Sequence, residues 1–376
     1  MIDGSKKKVL TLFIGMIIYA MLSTIFGPVI PKLMGEFNVD FTIAGTIVST
    51  WSFGAMTCFF TGKLPDKYGA YKMTKISLIS MAIIVVFMGL SRTLIELAVL
   101  SFLLGIASGT FDSSFNQVVL DMYPNSRGTI ATITHAFFGI GATLGPTITT
   151  ISIVSSNTWR TPFILFGVIM AAIAFYQFIF KSTDRKMEPI LKGNGFFDRS
   201  LIILAVCLLI DFTIGTGIIA WLTTYLINTN KANYIEAGII VSSSWAFLAV
   251  GRFFVGKIAD KNGFRKTLVT FMIMGATSSA ISIFVSGLIP NAIIWGIVGL
   301  SLAPVYPLVL AIAYSKNKKN PRTAIGKVAA IGNMGGLIAA PLYGTISNLA
   351  DANIATMLIP VCYIILTILF LKMKID

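Results

Sequence analysis

The sequence predicts an all-α membrane protein of twelve transmembrane helices, arranged as two pseudo-symmetric six-helix bundles. Three observations carry this. Apolar segments of about 20 residues, the length that crosses a bilayer, follow one another along the chain. Lysine and arginine gather in alternate connections between those segments. The second half of the chain repeats the first at a fixed spacing.

Composition comes first. Of 376 residues, 56% are hydrophobic and 12% charged, where soluble domains carry about 25% charged residues. Mean hydropathy is +0.85. Such a chain is solvated by lipid, and its backbone polar groups must pair within each helix. The net charge of +14 would suit nucleic acid only on a polar folded surface. Here the basic residues sit in short connections between apolar runs, so no nucleic-acid partner is expected. Cys58, Cys207 and Cys362 lie singly in apolar runs. No CxxC spacing occurs, and neither a disulfide nor a metal site is implied.

The predicted spans are 9–31, 42–61, 73–91, 94–118, 129–153, 161–180, 200–227, 235–256, 267–288, 290–314, 323–347 and 353–373. The first has a basic start, like a signal peptide. It lacks a small-residue cleavage site and runs too long for one, so it reads as the first helix. With the N-terminus in the cytoplasm, all but four of the 29 basic residues fall in cytoplasmic connections and tails, Arg252 counted among them. Only Lys32, Arg92, Arg160 and Lys231 fall outside. This asymmetry predicts a multi-pass protein of the cytoplasmic (inner) membrane with both termini in the cytoplasm. The stretch 182–199, the one long polar segment, reads as a linker between bundles at 1–181 and 200–376.

The repeat supports the same count. Gly62-Lys63-Leu64-Pro65-Asp66-Lys67-Tyr68-Gly69 aligns with Gly256-Lys257-Ile258-Ala259-Asp260-Lys261-Asn262-Gly263 at an offset of 194. The same offset sets Trp51 on Trp245 and Gly105 on Gly299. An offset of 195 sets Arg127 on Arg322, Gly141 on Gly336 and Pro146 on Pro341. Two copies that both start inside form a parallel repeat. That architecture belongs to transporters that rock about a midplane site between their halves.

The two Gly-x-x-x-Asp-Lys-x-Gly segments occupy the connections between helices 2 and 3 and between helices 8 and 9. Glycine permits a tight turn there. Asp66 and Asp260 can cap nearby helix ends and pair with basic residues of a neighbouring helix; Lys67 and Lys261 complete the two motif copies. Such pairs would act as a latch that breaks in one conformation, or the segments could be solvated loops. These segments resemble the cytoplasmic loop signature of the major facilitator superfamily, and the resemblance covers the whole chain.

Candidate transport residues lie within the spans. Asp112 and Asn116 in helix 4 are four apart, hence on one face, with Gln117 beside them. A carboxylate at that depth is costly, roughly 2.5–3.5 kcal/mol on insertion scales; it is the kind of group that proton coupling requires, or else a structural acid paired with a neighbouring helix. Helix 5 carries His135, the one histidine of the chain, which could titrate, bond a ligand or merely pack. Trp51, Trp245, Tyr306 and Asn333 could stack on and hydrogen-bond a sugar, or serve as packing residues. Pro304 and Pro307 should loosen helix 10.

The helix 4 acid and amide resemble those of the fucose and glucose/galactose symporter group. So do His135-Ala136-Phe137-Phe138-Gly139-Ile140-Gly141-Ala142, Ala303-Pro304-Val305-Tyr306-Pro307 and Gly332-Asn333-Met334-Gly335-Gly336. In that group the helix 4 acid serves proton coupling or sugar binding, and the resemblance assigns this role to Asp112. The group usually has Glu there. Its helix 7 often has an acid where this chain has Gly215, so Asp211 either substitutes for it or caps the helix near the membrane surface.

No phosphate-binding loop or hydrolase motif is present, so the protein reads as a secondary transporter and not an enzyme. The leading expectation is proton-coupled symport of a small sugar-like solute, with sodium as the other candidate ion and no bound cofactor. The alternative is proton-driven efflux of drugs or amphipathic metabolites. It draws on Gly141-x-x-x-Gly145-Pro146, which lacks the later glycine pair of the antiporter signature, and on the many Phe and Met residues. A membrane sensor or intramembrane enzyme would need a partner surface or a catalytic pair, and neither is visible. The small-molecule substrate and the lipid bilayer are the expected partners, with a monomer as the expected state.

Overall fold

The computed structural model describes residues 2–57, 64–123, 127–180, 199–316 and 321–373. It is helical throughout these residues, because a helix pairs its own backbone in lipid. The helices are α1 (Ile2–Ser23, continuing as Phe26–Phe37), α2 (Phe41–Met56), α3 (Ala70–Leu90), α4 (Leu94–Met122), α5 (Arg127–Ser156) and α6 (Arg160–Phe178). There follow α7 (Ser200–Asn228), α8 (Tyr234–Asn262), α9 (Phe264–Phe284), α10 (Leu288–Lys316), α11 (Pro321–Leu349) and α12 (Ala352–Lys372).

Among the described residues, ten helices are long and apolar enough to cross a membrane, and the two parts of α1, Lys7–Ser23 and Phe26–Phe37, bent by 41°, are so together, an eleventh if they form one span. The remaining helix, α2, has 16 residues and runs up to residues 58–63, which lie outside the described part. Five helices depart from regular geometry: α9 ends in a 3-10 turn at Ser282–Phe284 and α12 breaks at Met357, and three others bear on the candidate residues. α1 bends at Thr24–Ile25, where Thr24 Oγ1 donates to the Met21 carbonyl at 2.9 Å. α7 contains a π turn at Gly217–Trp221. α10 breaks between Leu302 and Val305, at Ala303-Pro304, as expected of a proline that cannot donate to the helix ladder.

Two compact units emerge. The first comprises Met1–Ile25 and Thr50–Ile190, the second Phe26–Ser49 and Leu191–Asp376. In the first, α1 packs on α5, and α3 on α4 and α6; in the second, α7 packs on α11, and α9 on α10 and α12. These are equivalent pairings, so the duplication read in the sequence is also a duplication of packing. The close crossings match too. A methyl group at Gly105 would strike the Trp51 carbonyl of α2, and one at Gly299 the Ser244 carbonyl of α8. Small residues at both places let the backbones touch.

The grouping differs from the sequence division in one respect. Phe26–Ser49, from the first bundle by sequence, clusters with the second unit. Asn348 Nδ2 donates to Thr42 Oγ1 at 2.8 Å, its Oδ1 accepts from the Phe41 amide at 3.2 Å, and Ser49 Oγ donates to the Leu337 carbonyl at 2.8 Å. Gly27 and Gly45 abut the backbones of Ile219 and Ala340.

The repeated loop motif forms the same turn twice. Gly69 has φ 96° and ψ 129°, and Gly263 has φ 84° and ψ 150°. Each amide donates four residues back, Gly69 to Pro65 O and Gly263 to Ala259 O, both at 2.9 Å. Each carbonyl then opens the next helix, accepting from the Met73 amide at 3.0 Å and the Thr267 amide at 3.2 Å. This backbone region is essentially closed to residues with a Cβ. Gly263→Ala should therefore cost roughly 1–3 kcal/mol, read as a lower unfolding temperature in detergent. An unchanged temperature would mean the turn relaxes freely.

Basic side chains near the helix ends are not all solvated. Lys8 lies 3.7 Å and Lys75 4.7 Å from the ring centre of Tyr71, and Lys75 Nζ donates to the Phe180 carbonyl at 3.0 Å. Both lysines are buried, their stems covering apolar surface.

Candidate functional site

In the first unit, α4 holds the carboxylate predicted to matter. Asp112 is exposed, while its neighbours Phe111 and Phe115 are buried. Asn116, one turn on, donates through Nδ2 to the Asp112 carbonyl at 2.8 Å and to Asp112 Oδ1 at 3.2 Å. The amide thus steadies one carboxylate oxygen and leaves the group accessible. The surrounding face is aromatic. The Phe111 ring lies tilted against Tyr19 (5.1 Å) and Phe115 (5.5 Å), and Phe13 stacks on Phe137 at 4.6 Å. This cluster joins α1, α4 and α5. Sequence reading noted Phe137 but not its partners, since α1 shows no marked periodicity.

The other candidates of this unit are less gathered. Trp51 Nε1 donates to Ser108 Oγ at 2.8 Å, so its indole N–H fastens α2 to α4. Gln117 is half-buried and His135 exposed, on α4 and α5. Gly62 lies outside the described residues, as does the side chain of Asp66. Lys67 is exposed and lies 5.0 Å from the Tyr68 ring centre. In the second copy Gly256, Asp260 and Lys261 are exposed around the end of α8, and nearby Arg265 donates to the Leu371 carbonyl.

In the second unit the candidates divide. Trp245 is half-buried on α8 and Asn333 exposed on α11. Asp211 and Tyr306 converge on a residue that sequence reading placed elsewhere. Arg252, counted with the cytoplasmic loops, lies inside α8 between Gly251 and Phe253. Its guanidinium interacts electrostatically with Asp211 of α7 and Tyr306 of α10. The Tyr306 ring also meets Phe212 edge-on at 6.1 Å. The signal was available: an arginine within an apolar span marks a functional or paired position, and span 235–256 contained it. The helix-cap alternative for Asp211 is corrected as well. It lies in continuous helix from Arg199 to Thr216, eleven residues past Ser200, or about 16 Å along the axis.

Two ladders of equivalent helices, each with polar groups set into apolar spans, are what a family comparison then explains. The family model described as Major Facilitator Superfamily matches residues 12–341. The chain belongs to the Major Facilitator Superfamily. It is accordingly a multi-pass membrane transporter, not an enzyme, with a small molecule as its substrate. This facilitator is 22% identical over 355 residues to a TsgA homolog of Buchnera aphidicola subsp. Baizongia pistaciae (strain Bp), covering 89% of this chain and 88% of the relative. It is 21% identical over 355 residues to the glucose/mannose transporter GlcP of Bacillus subtilis (strain 168), covering 88% and 85%. It is 25% identical over 239 residues to the multidrug resistance protein MdtG of Escherichia coli O9:H4 (strain HS), covering 60% and 58%. Among solved structures, the nucleoside transporter NupG superposes with a TM-score of 0.79 at 12% identity, over 98% of this chain and 99% of that one. At that identity the likeness is one of fold.

Proposed function

We propose that this facilitator is a proton-coupled symporter of a small, sugar-like polar solute, working by alternating access as a monomer in the cytoplasmic membrane, with both termini in the cytoplasm. One observation carries the reading. Asp112 is an accessible carboxylate within a 29-residue apolar helix, bonded to an amide on its own face. Placing it there costs about 2.5–3.5 kcal/mol on insertion scales, and such groups in transporters are proton relays or substrate contacts. The basic residues of alternate connections support the orientation. The sugar in the name of GlcP, matched along most of both chains, supports the solute class. The paired turns at Gly69 and Gly263 would set the spacing of the loop latch.

A second reading, proton-driven efflux, draws on the multidrug resistance in the name of MdtG, which matches 60% of this chain. Purified protein in liposomes separates the two. Counterflow should be seen with D-glucose or D-mannose and should respond to a pH gradient without ATP. Exchange of tetraphenylphosphonium with both sugars inert would replace symport by efflux.

A further inference from the structure

Resting on the reading of a polar-solute transporter, we propose that Arg252 is a solute-binding residue and that the solute carries an acidic group, a carboxylate or its sulfonate equivalent. Asp211 is the negative charge with which that acid group competes.

The geometry begins with depth. Arg252 stands ten residues before Asn262, the last residue of α8, and Asp211 eleven residues after Ser200 in the antiparallel α7. Both lie about 15 Å from the same end of helices of 29 residues, each about 43 Å long. A hydrocarbon layer of about 30 Å centred on them begins about 6 Å from that end, which sets both residues' backbones about 9 Å inside it. The offset of 194 also sets Tyr306 on Asp112. The pair therefore lies beside the second unit's counterpart of the position that carries the accessible carboxylate in the first.

Bonding is the second observation. Asp211 Oδ1 and Arg252 Nε are buried, and neither has a hydrogen-bond partner among the described residues. Guanidinium offers five donors in a planar fork, and a buried one left unmet is costly. A structural ion pair would be expected to spend those donors in bidentate contact. Here neither Asp211 Oδ1 nor Arg252 Nε is spent on such a contact among the described residues. A planar acid group is the ligand that the fork matches. A neutral sugar hydroxyl would leave the cation without a compensating charge once Asp211 turned away. Among the described residues, Cys207 on its own helix and Tyr363 of α12 also interact electrostatically with Asp211. Tyr363 spends its O–H on the Val298 carbonyl at 2.7 Å. Neither is a cation, so Arg252 is the positive charge for which solute and Asp211 compete.

The test is counterflow in liposomes holding the full chain, with D-glucuronate and D-glucose as matched probes that differ only in carboxylate against hydroxymethyl. The parent protein should exchange glucuronate in preference to glucose. Arg252→Gln should reduce glucuronate exchange by about thirtyfold or more, the scale for removing one partner of a buried charge pair. Asp211→Asn should lower the half-saturating glucuronate concentration. Should Arg252→Gln alone fail to fold, the neutral double variant Asp211→Asn with Arg252→Gln supplies the answer: stable on size exclusion, but without glucuronate exchange. Recovery of glucuronate exchange in the double variant would make the pair structural and overturn the proposal. Glucose exchange that exceeds glucuronate exchange and ignores Arg252→Gln would overturn it while leaving polar-solute transport standing. Failure of both probes to exchange would remove the inference and the sugar-like reading together.

Discussion

Asp112→Asn should equilibrate the solute across a liposome membrane and concentrate none of it. The amide keeps the shape of the carboxyl and can still share a hydrogen bond with Asn116, but it cannot carry a proton. A pH step of one unit stores about 1.4 kcal/mol per proton, enough for about tenfold accumulation of a neutral solute at one proton each. The parent should approach that ratio and the variant should stop at unity. Counterflow at equal pH should survive in the variant, since exchange needs only loaded translocation. Accumulation by Asp112→Asn equal to the parent's would move proton coupling to another residue. The related substitution Asn116→Ala removes the bond to Oδ1 and should weaken coupling less than loss of the acid itself.

Gly105→Leu and Gly299→Leu should each yield no monodisperse protein on size exclusion. At both sites the first added carbon would already collide with a backbone carbonyl of the facing helix, Trp51 or Ser244. A carbonyl in a helix cannot step aside as a side-chain tip can, so the helices must separate. Overpacking a core usually costs about 1–3 kcal/mol, and more where backbone must shift. Gly256→Leu supplies the contrast. Although Gly256 belongs to the repeated loop motif, nothing lies within 4 Å of an added Cβ there, and folded protein should be recovered in near-parental yield. Equal yields from all three would mean that the crossings do not limit assembly.

These contrasts indicate which parts of the molecule a sequence can disclose. The spans were legible because bilayer thickness imposes one length on every helix, and the repeat because Gly, Asp and Trp recur at one offset. The turns at Gly69 and Gly263 follow from glycine's freedom at positive φ. Asp112 with Asn116 was legible from helical spacing alone. Arg252 was misplaced because a count of basic residues near helix ends absorbs any arginine close to a boundary, whatever its depth. Asp211 kept two readings because a lone acid in a span can bind solute or cap a helix, although a span starting at 200 already set it eleven residues inside. The grouping of Phe26–Ser49 with the second unit depends on small-residue packing at Gly27 and Gly45, which leaves no periodic mark.

The wide turn in α7 has a consequence for how that helix presents itself. Five residues, Gly217–Trp221, wind with i to i+5 bonding, so the segment takes up about one residue more than an α-helix would over the same arc. Each residue of an α-helix advances the facing direction by about 100°. A regular count from Asp211 would bring Leu222 onto its stripe; the slack in the winding brings Thr223 there instead. A hydroxyl thus succeeds a carboxylate along one side of α7, where uniform winding would have set a hydrocarbon.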